Sequence, residues 1–387
     1  MITLNIARTA CLSALLFLQS SLLMDACQVP VFRYALERWP ADPYGLAVFH
    51  NGPLSKEQQE IIAGVGYDVN LELFTIDAGK MTAPQRIRFG EVKVEQGKVL
   101  ARLYYPLQSR QRDEALWEGE LTAQSLSKIV NSPARQQIAK DILAGESAVW
   151  IILKSGDPKR DGKVEQDLNK HLKAITQWLE IPEGVAGPGE LERVASGEVA
   201  MEDVLRSTIP LKISFTSLII DKNDPAEEMF IRMLTGFVPE LLEQYPGQPL
   251  VFPVFGRGRT LDGISEEMLS EELMASAGSY ICGACSCEVK RENPGIDVVM
   301  SVEWDEALEG SAVVIDKQLP PLEGAGDLVA VVSPLDAETH AEEPETVVEN
   351  EGGRMKPVSA MGMMGIFSVI MLIGLAAFTF IYKRRDS

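Results

Sequence analysis

The chain has 387 residues, of which 46% are hydrophobic and 24% charged, proportions that are typical of globular proteins. This length exceeds the usual size of one domain, so we expect two domains with additional segments. The composition excludes a collagen, a coiled coil and a wholly disordered chain. Lys and Arg total 36 against 56 Asp and Glu, a net charge of −20. Because binding phosphates requires a basic surface, nucleic acid is not an expected partner.

The N-terminus has the pattern of a secretory signal peptide. Arg8 precedes a short apolar run at residues 10–18, and polar and small residues follow as far as Ala26. This run is too short to span a membrane, so we assign residues 1–26 to a signal peptide. Cys27 follows directly, and its lipidation is an open alternative, although Asp25 fits a lipoprotein signal poorly.

Short β-type runs alternate with helical patterns from residue 27 onward, which predicts an α/β fold. The first half has predicted strands at 44–50, 70–77, 98–106 and 148–154, and predicted helices at 55–63, 121–143 and 162–179. The last of these helices has apolar side chains at a helical spacing from Val164 to Leu179. We therefore assign a first α/β domain to residues 27–182.

A second α/β domain is predicted after a linker at residues 183–207, which is rich in Gly, Pro and Glu and carries a short helix. The second domain, residues 208–315, has predicted strands at 211–221, 249–255 and 296–302 and predicted helices at 226–245 and 265–281. In both halves a strand leads into Asp-Pro and a helix, at residues 157–158 and 224–225. Asp caps a helix and Pro fits its first turn, so this repetition indicates either an internal duplication or a common way to start a helix.

The C-terminal region is predicted to be a membrane anchor on a tether. Residues 316–357 are acidic and lack aromatic side chains, which predicts an unfolded spacer. Residues 358–382 carry no charge and would form a helix of about 37 Å, longer than the roughly 30 Å hydrocarbon core of a bilayer. Because the tail 383–387 begins with three basic residues, we expect it in the cytoplasm and most of the chain outside.

The densest group of reactive side chains is a CxxCxC cluster, Cys282, Cys285 and Cys287, directly after a predicted helix. These thiols could bind a soft metal ion such as zinc or Cu(I), with Cys27 as a further ligand, although no cofactor is firmly indicated. Structural disulfides and thiol redox chemistry are the other two interpretations. A thioredoxin-type CxxC begins a helix, where the helix dipole lowers the thiol pKa, whereas Cys282 is expected at a helix end.

The remaining candidate sites carry weaker signals. Arg257 and Arg259 lie in a GRGR stretch after a predicted strand, where two guanidiniums could contact a carboxylate or phosphate, and a solvated loop is the alternative. Residues 125–128 (SLSK) match the SxxK of penicillin-binding serine enzymes without its companion motifs. The sequence therefore assigns no catalytic residue.

Residues 27–39 (CQVPVFRYALERW) and residues 256–295, with the GRGR stretch, the cysteine cluster and VKRENPG, resemble a family of uncharacterised bacterial envelope proteins. That family has the same layout of signal peptide, α/β region and C-terminal membrane helix, and the resemblance covers most of the chain. It implies that the cysteine cluster is a module and supplies no catalytic role. The order of strands and helices also resembles thioredoxin-like domains, a likeness of fold alone.

From these patterns we expect an accessory or binding protein of unknown ligand, anchored by one helix in the bacterial cell membrane. Its expected partners are the membrane and other envelope or membrane proteins. The alternative is a membrane-tethered thiol redox or metal-handling protein that uses the CxxCxC cluster. Proximity of Cys27 to the cluster would favour this alternative, whereas a distant Cys27 would favour a structural role for the cysteines.

Overall fold

The fold was analysed in a computed structural model that describes residues 27–66, 68–285 and 289–309. The predicted signal peptide at 1–26 lies outside the described residues, as do residues 310–387 with the predicted tether, membrane helix and tail. Within the described ranges, no helix has the length and apolar character needed to cross a bilayer.

The first sheet consists of one βαβ unit followed by two antiparallel strands. β1 (Tyr44–His50) and β2 (Leu71–Asp77) pair in parallel and are connected through α2 (Lys56–Ala63). β3 (Val99–Tyr104) pairs antiparallel with the other edge of β1, and β4 (Ala115–Glu120) pairs antiparallel with β3. The resulting order is β2-β1-β3-β4.

The second sheet repeats this topology. β5 (Ala148–Leu153) and β6 (Phe215–Ile220) are parallel and are connected through a segment that contains α6 (Pro158–Thr176). β7 (Leu250–Phe255) lies antiparallel on the other edge of β5, and β8 (Arg259–Thr260) lies antiparallel to β7. The order β6-β5-β7-β8 therefore corresponds to the order β2-β1-β3-β4 of the first sheet, with the same parallel and antiparallel pairings. Two further short strands, β9 and β10, pair with β7 and β8; they are Ile264–Ser265 and Ile296–Asp297.

The remaining helices of the described residues are α1 (Val31–Glu37), α3 (Ala83–Phe89), α4 (Ala123–Val130), α5 (Pro133–Leu143), α7 (Leu191–Ala195), α8 (Glu228–Gly236), α9 (Pro239–Gln244), α10 (Glu271–Cys282) and α11 (Trp304–Glu309). The Asp-Pro start predicted for α6 is confirmed, because Asp157 accepts the N–H groups of Lys159 and Arg160. The helix predicted at 226–245 is divided into α8 and α9, since Pro239 begins a new helix.

Strand β5 separates two hydrophobic cores. All six of its residues are buried, and successive side chains point to opposite faces. Val149 and Ile151 enter a core that also contains side chains of β1, β3, α4, α5 and α8. Trp150 and Ile152 enter a second core, formed with α1, α6 and α10. The first of these cores therefore contains side chains from both sheets.

The sheets divide the chain differently from the predicted domains. β5 falls in the predicted first domain, 27–182, but its partners β6 and β7 fall in the predicted second domain, 208–315. The predicted linker at 183–207 is also partly ordered, because it contains α7 and a bridge between Ala186 and Val204. A boundary at 183–207 therefore does not separate the two sheets, since β5 needs neighbours on both edges and finds them only beyond the linker.

The last described segment contacts both sheets. The strand predicted at 296–302 is a strand only at β10, and further on Ser301 forms an isolated bridge with Val69, near the start of β2. The Asn70 side chain accepts the N–H of Met300 at 2.8 Å and donates to the carbonyl of Val298 at 3.1 Å. This segment thus helps to hold the two sheets together.

Candidate functional site

The chain just after Cys27 lies against the end of α10 and the residues that follow it. The N–H of Val31 donates to the carbonyl of Gly283, and the N–H of Cys285 donates to that of Val29, both at 3.0 Å. These bonds form an antiparallel bridge between residues 30 and 284. As a result, Cys27, Cys282 and Cys285 enter the same apolar core. The structure therefore places Cys27 in the same core as Cys282 and Cys285, which the sequence alone could not establish.

The described thiols are deeply buried. Cys27 is 5% exposed, and Cys282 and Cys285 are each 1% exposed. Burial raises the pKa of Cys27 to about 11 and that of Cys282 to about 12, and the opposing hydrogen bond from Ser147 to Cys282 is too weak to offset it. Because the thiolate is both the nucleophile and the metal ligand, these raised pKa values disfavour both roles for Cys27 and Cys282 near neutral pH.

The metal interpretation requires several ligands around one position. Among residues 27–66, 68–285 and 289–309, no group of three His, Cys, Asp or Glu side chains has an arrangement suited to a metal ion. Cys287, the third cysteine of the predicted ligand set, lies outside the described residues. The soft-metal site therefore stays a prediction.

A buried ion pair on α1 holds the N-terminal segment in place. The Arg33 Nε atom lies 2.8 Å from Glu37 Oε1, and neither side chain is more than 1% exposed. Glu37 also accepts the N–H of Arg206 at 2.7 Å and the hydroxyl of Ser207 at 2.8 Å. Burial lowers the pKa of Arg33, and Glu37 opposes that effect. The pair thus fixes α1 to the chain just before β6.

A second buried ion cluster connects the residues after α1 to β8 and β10. Arg259 Nη1 lies 3.2 Å from Asp297 Oδ1, and Lys290 Nζ contacts Asp297 and lies 3.1 Å from Asp42 Oδ2. The N–H of Asp42 donates to Asp297 Oδ2 at 2.7 Å, and the Arg259 guanidinium lies 5.5 Å from the centre of the Trp39 ring. Two cations and two carboxylates balance each other. Burial, reinforced by Asp297, raises the pKa of Asp42 despite the nearby Lys290.

The two arginines predicted to contact an anion both have protein acceptors. Arg257 donates from Nε to the carbonyl of Leu36 at 2.8 Å and from Nη2 to Asp305 at 2.7 Å. Arg259 donates to the carbonyl oxygens of residues 293 and 294 at 2.7 and 2.9 Å. The crevice beside them has an empty volume of about 150 Å³ and is too narrow for a water-sized molecule. An external anion would have to replace these acceptors, so the anion contact stays a prediction.

Most of the charged residues that build this region carry no signal in the sequence. Asp42 and Asp297 are separated by 255 positions, so no local pattern indicates their contact. Lys290 stands beside the cysteine cluster but in an ordinary polar stretch. Arg33 and Glu37 are four residues apart in an otherwise apolar helix, a spacing that would have identified this pair.

Comparison with known proteins does not assign this region. No protein-family model matches the chain, and no curated protein matches it. Geometry alone describes the region: an apolar core and the cluster of Asp42, Lys290, Asp297 and Arg259 hold residues 27–42 against residues 256–285 and 289–297, while the Arg33–Glu37 pair holds α1 against residues 206 and 207.

Replacing Asp297 should destabilise the fold far more than replacing an exposed acid in the same region. In Asp297→Asn, Arg259 and Lys290 lose a buried counter-charge, which typically costs about 3 to 5 kcal/mol. Asp305, whose side chain is 79% exposed, is the matched control, and Asp305→Asn should cost less than about 1 kcal/mol. Urea unfolding of the full chain, followed by tryptophan fluorescence, measures both values. Equal losses in the two variants would contradict a structural role for the cluster.

Proposed function

We propose that this chain is a binding or accessory protein that faces away from the cytoplasm and is anchored in the bacterial cell membrane. The signal pattern at 1–26, the uncharged run at 358–382 and the basic start of the tail at 383–387 support this topology. The acidic residues at 316–357 act as a spacer between the folded region and the bilayer. Other envelope or membrane proteins are the proposed partners.

The observation that carries the binding role is the state of the thiols. Cys27 and Cys282 lie in an apolar core with pKa values raised to about 11 and 12, the opposite of what a redox or nucleophilic cysteine needs. The surrounding ion clusters consist of charges that neutralise each other. Both features are typical of a region that holds the chain together, which leaves recognition to other surfaces.

The topology supports a thioredoxin-like fold without thioredoxin chemistry. Each sheet has one parallel pair followed by two antiparallel strands, in the order that we associate with thioredoxin-like domains. In such domains a redox CxxC begins the helix that follows the first strand. The corresponding segments here, residues 51–55 before α2 and 154–157 before α6, contain no cysteine. We therefore infer two thioredoxin-like sheets in a binding protein.

One observation favours the alternative function, thiol redox work or metal handling by Cys282, Cys285 and Cys287 with Cys27. The bridge between residues 30 and 284 brings Cys27 into the same core as Cys282 and Cys285. Such a clustering of thiols suits a soft metal ion such as zinc, which binds deprotonated cysteines. Metal binding would have to overcome the raised pKa values of the buried thiols.

The reactivity of the thiols distinguishes the binding role from the thiol redox or metal-handling role. The pKa values of Cys27 and Cys282 lie about two and three units above the ordinary value of 9.0, so near pH 8 their thiolate fractions fall about 100-fold and 1,000-fold. Iodoacetamide should therefore modify both at least about 100-fold more slowly in the native chain than in denaturant. The native rates should keep rising about tenfold per pH unit up to about pH 11, whereas the rates in denaturant should level off above about pH 9. Peptide mass analysis gives the rate for each cysteine.

A cysteine introduced at an exposed position of α6, Lys170→Cys, is the matched control and should react at an ordinary rate. Rapid native modification of Cys282 would contradict the binding assignment. One bound zinc per chain that disappears in Cys285→Ser would establish the metal-handling alternative instead.

Membrane anchoring should depend on residues 358–382 alone. The full chain should sediment with membranes and resist extraction at high salt, because a helix of this length is held by the hydrocarbon core. A chain that ends at residue 357 should appear in the soluble exported fraction with unchanged thermal unfolding. Retention of the shortened chain in the membrane would exclude this segment as the sole anchor.

A further inference from the structure

The outer edge of β6 has backbone groups that point away from the sheet. The N–H of Ser147 donates to the carbonyl of Ser214, and the N–H of Lys154 donates to that of Ile220, so the even-numbered residues of this strand face β5. Hydrogen-bonding directions alternate along a strand, so the N–H and C=O groups of residues 215, 217 and 219 face outward. In the part of the chain that the structure describes, no strand pairs with this edge.

This edge also lacks the features that normally prevent pairing with another chain. Edge strands are usually protected by charged side chains, prolines or bulges. The edges of the first sheet follow this rule, because β2 carries Glu72 and Asp77 and β4 carries Glu118 and Glu120. β6 has the sequence FTSLII, with no charge and no proline, and Ile219 is 39% exposed. The edge is therefore suited to accept an additional strand.

A cleft of about 460 Å³ runs between β6 and α6. Leu172 and Phe215 contribute apolar surface, while Thr216 and Ser217 lie beside them on the strand. Lys173 is the one charged side chain among the lining residues, and it forms no ion pair with any described residue. The cleft thus combines an apolar floor, a cation without an acidic partner and an open strand edge.

We propose that an extended peptide segment with an acidic side chain binds in this cleft as an added strand on β6. Its backbone pairs with residues 215, 217 and 219, its apolar side chain packs on Leu172 and Phe215, and its carboxylate approaches Lys173. This inference deepens the proposed binding role, on which it rests, by naming the class of partner and the surface that takes it.

A second copy of this chain fits the edge less well. A two-fold symmetric contact joins the same patch of both copies, and this patch provides Lys173 but no acid to meet it. The net charge of −20 further opposes close association of two copies. An acidic segment from a different protein satisfies both the strand edge and the lysine.

The test uses the full chain in detergent and a fluorescein-labelled peptide of eight residues, in which valine alternates with threonine and one central position is glutamate. Lys173→Glu should weaken binding of this peptide at least about five-fold and strengthen binding of the same peptide with lysine in place of glutamate. Lys170→Glu changes an exposed lysine of the same helix outside the cleft, and its effect should stay below about two-fold. Fluorescence anisotropy measures each affinity.

Backbone pairing is tested separately from charge. Methylation of alternate peptide nitrogens should abolish binding, because it removes the donors of the added strand. Ser217→Pro should do the same from the protein side without removing a bond to β5, and an unchanged thermal midpoint shows that the variant folds. Equal binding of the methylated peptide, or equal effects of Lys173→Glu and Lys170→Glu, would overturn the proposal.

The proposal would also be overturned if the full chain formed a dimer and Ser217→Pro dissociated that dimer. The segment bound at the edge of β6 would then be a second copy of this chain. Different results would refute the peptide site and the proposed function. A chain that sediments with membranes and protects its thiols but ignores the peptide refutes the peptide site alone. A chain that binds the peptide but is soluble or reactive at Cys282 refutes the anchored binding role as proposed.

Discussion

The architecture depends on the burial of β5 on both faces and its pairing on both edges. Its alternate side chains enter two cores, one of which also takes side chains from the first sheet and its helices. A strand with no exposed residue can exist only when neighbours cover both faces and both edges. Since β6 and β7 lie after the predicted linker, the second sheet forms only when chain segments from both predicted domains come together. The described residues accordingly belong to one compact unit.

The N-terminal segment is part of the folded core around β5. Residues 27–42 cover the second core, bridge to the end of α10 and contribute to two buried ion clusters. Buried ion pairs add little net stability compared with apolar packing, but a single missing partner is costly, so they favour one specific alignment of distant segments. Residues 27–42 and the chain around β8 and β10 therefore depend on each other, because each supplies charged groups that the other needs. The proposed recognition surface lies elsewhere, at the outer edge of β6, with which no strand of the described residues pairs.

Several local features of this fold were predictable from the sequence, whereas its long-range contacts were not. The apolar run of β1 and the Asp157 cap of α6 depend on neighbouring residues, and both were predicted correctly. β4 was missed because ALWEGE contains a glycine and two glutamates, which are uncommon in strands. The partners of β5 and the contact of Asp42 with Asp297 depend on folding across the linker, which no local pattern encodes. The cysteine cluster was found from its spacing, but its burial beside Cys27 required the structure.

Native-state hydrogen exchange of the full chain and of Ile151→Ala tests the central claim, that β5 makes the two sheets one cooperative structure. Ile151 is fully buried in the core shared by both sheets, so its truncation should cost about 2 to 5 kcal/mol. We expect the protection of amides in β1 and β3 to fall by the same free energy as that of amides in β5 and β7. Ile87→Ala, at a side chain that is 87% exposed, should leave all of them unchanged. Loss of protection in the second sheet alone, with the first sheet unaffected, would contradict this account and restore two independent domains.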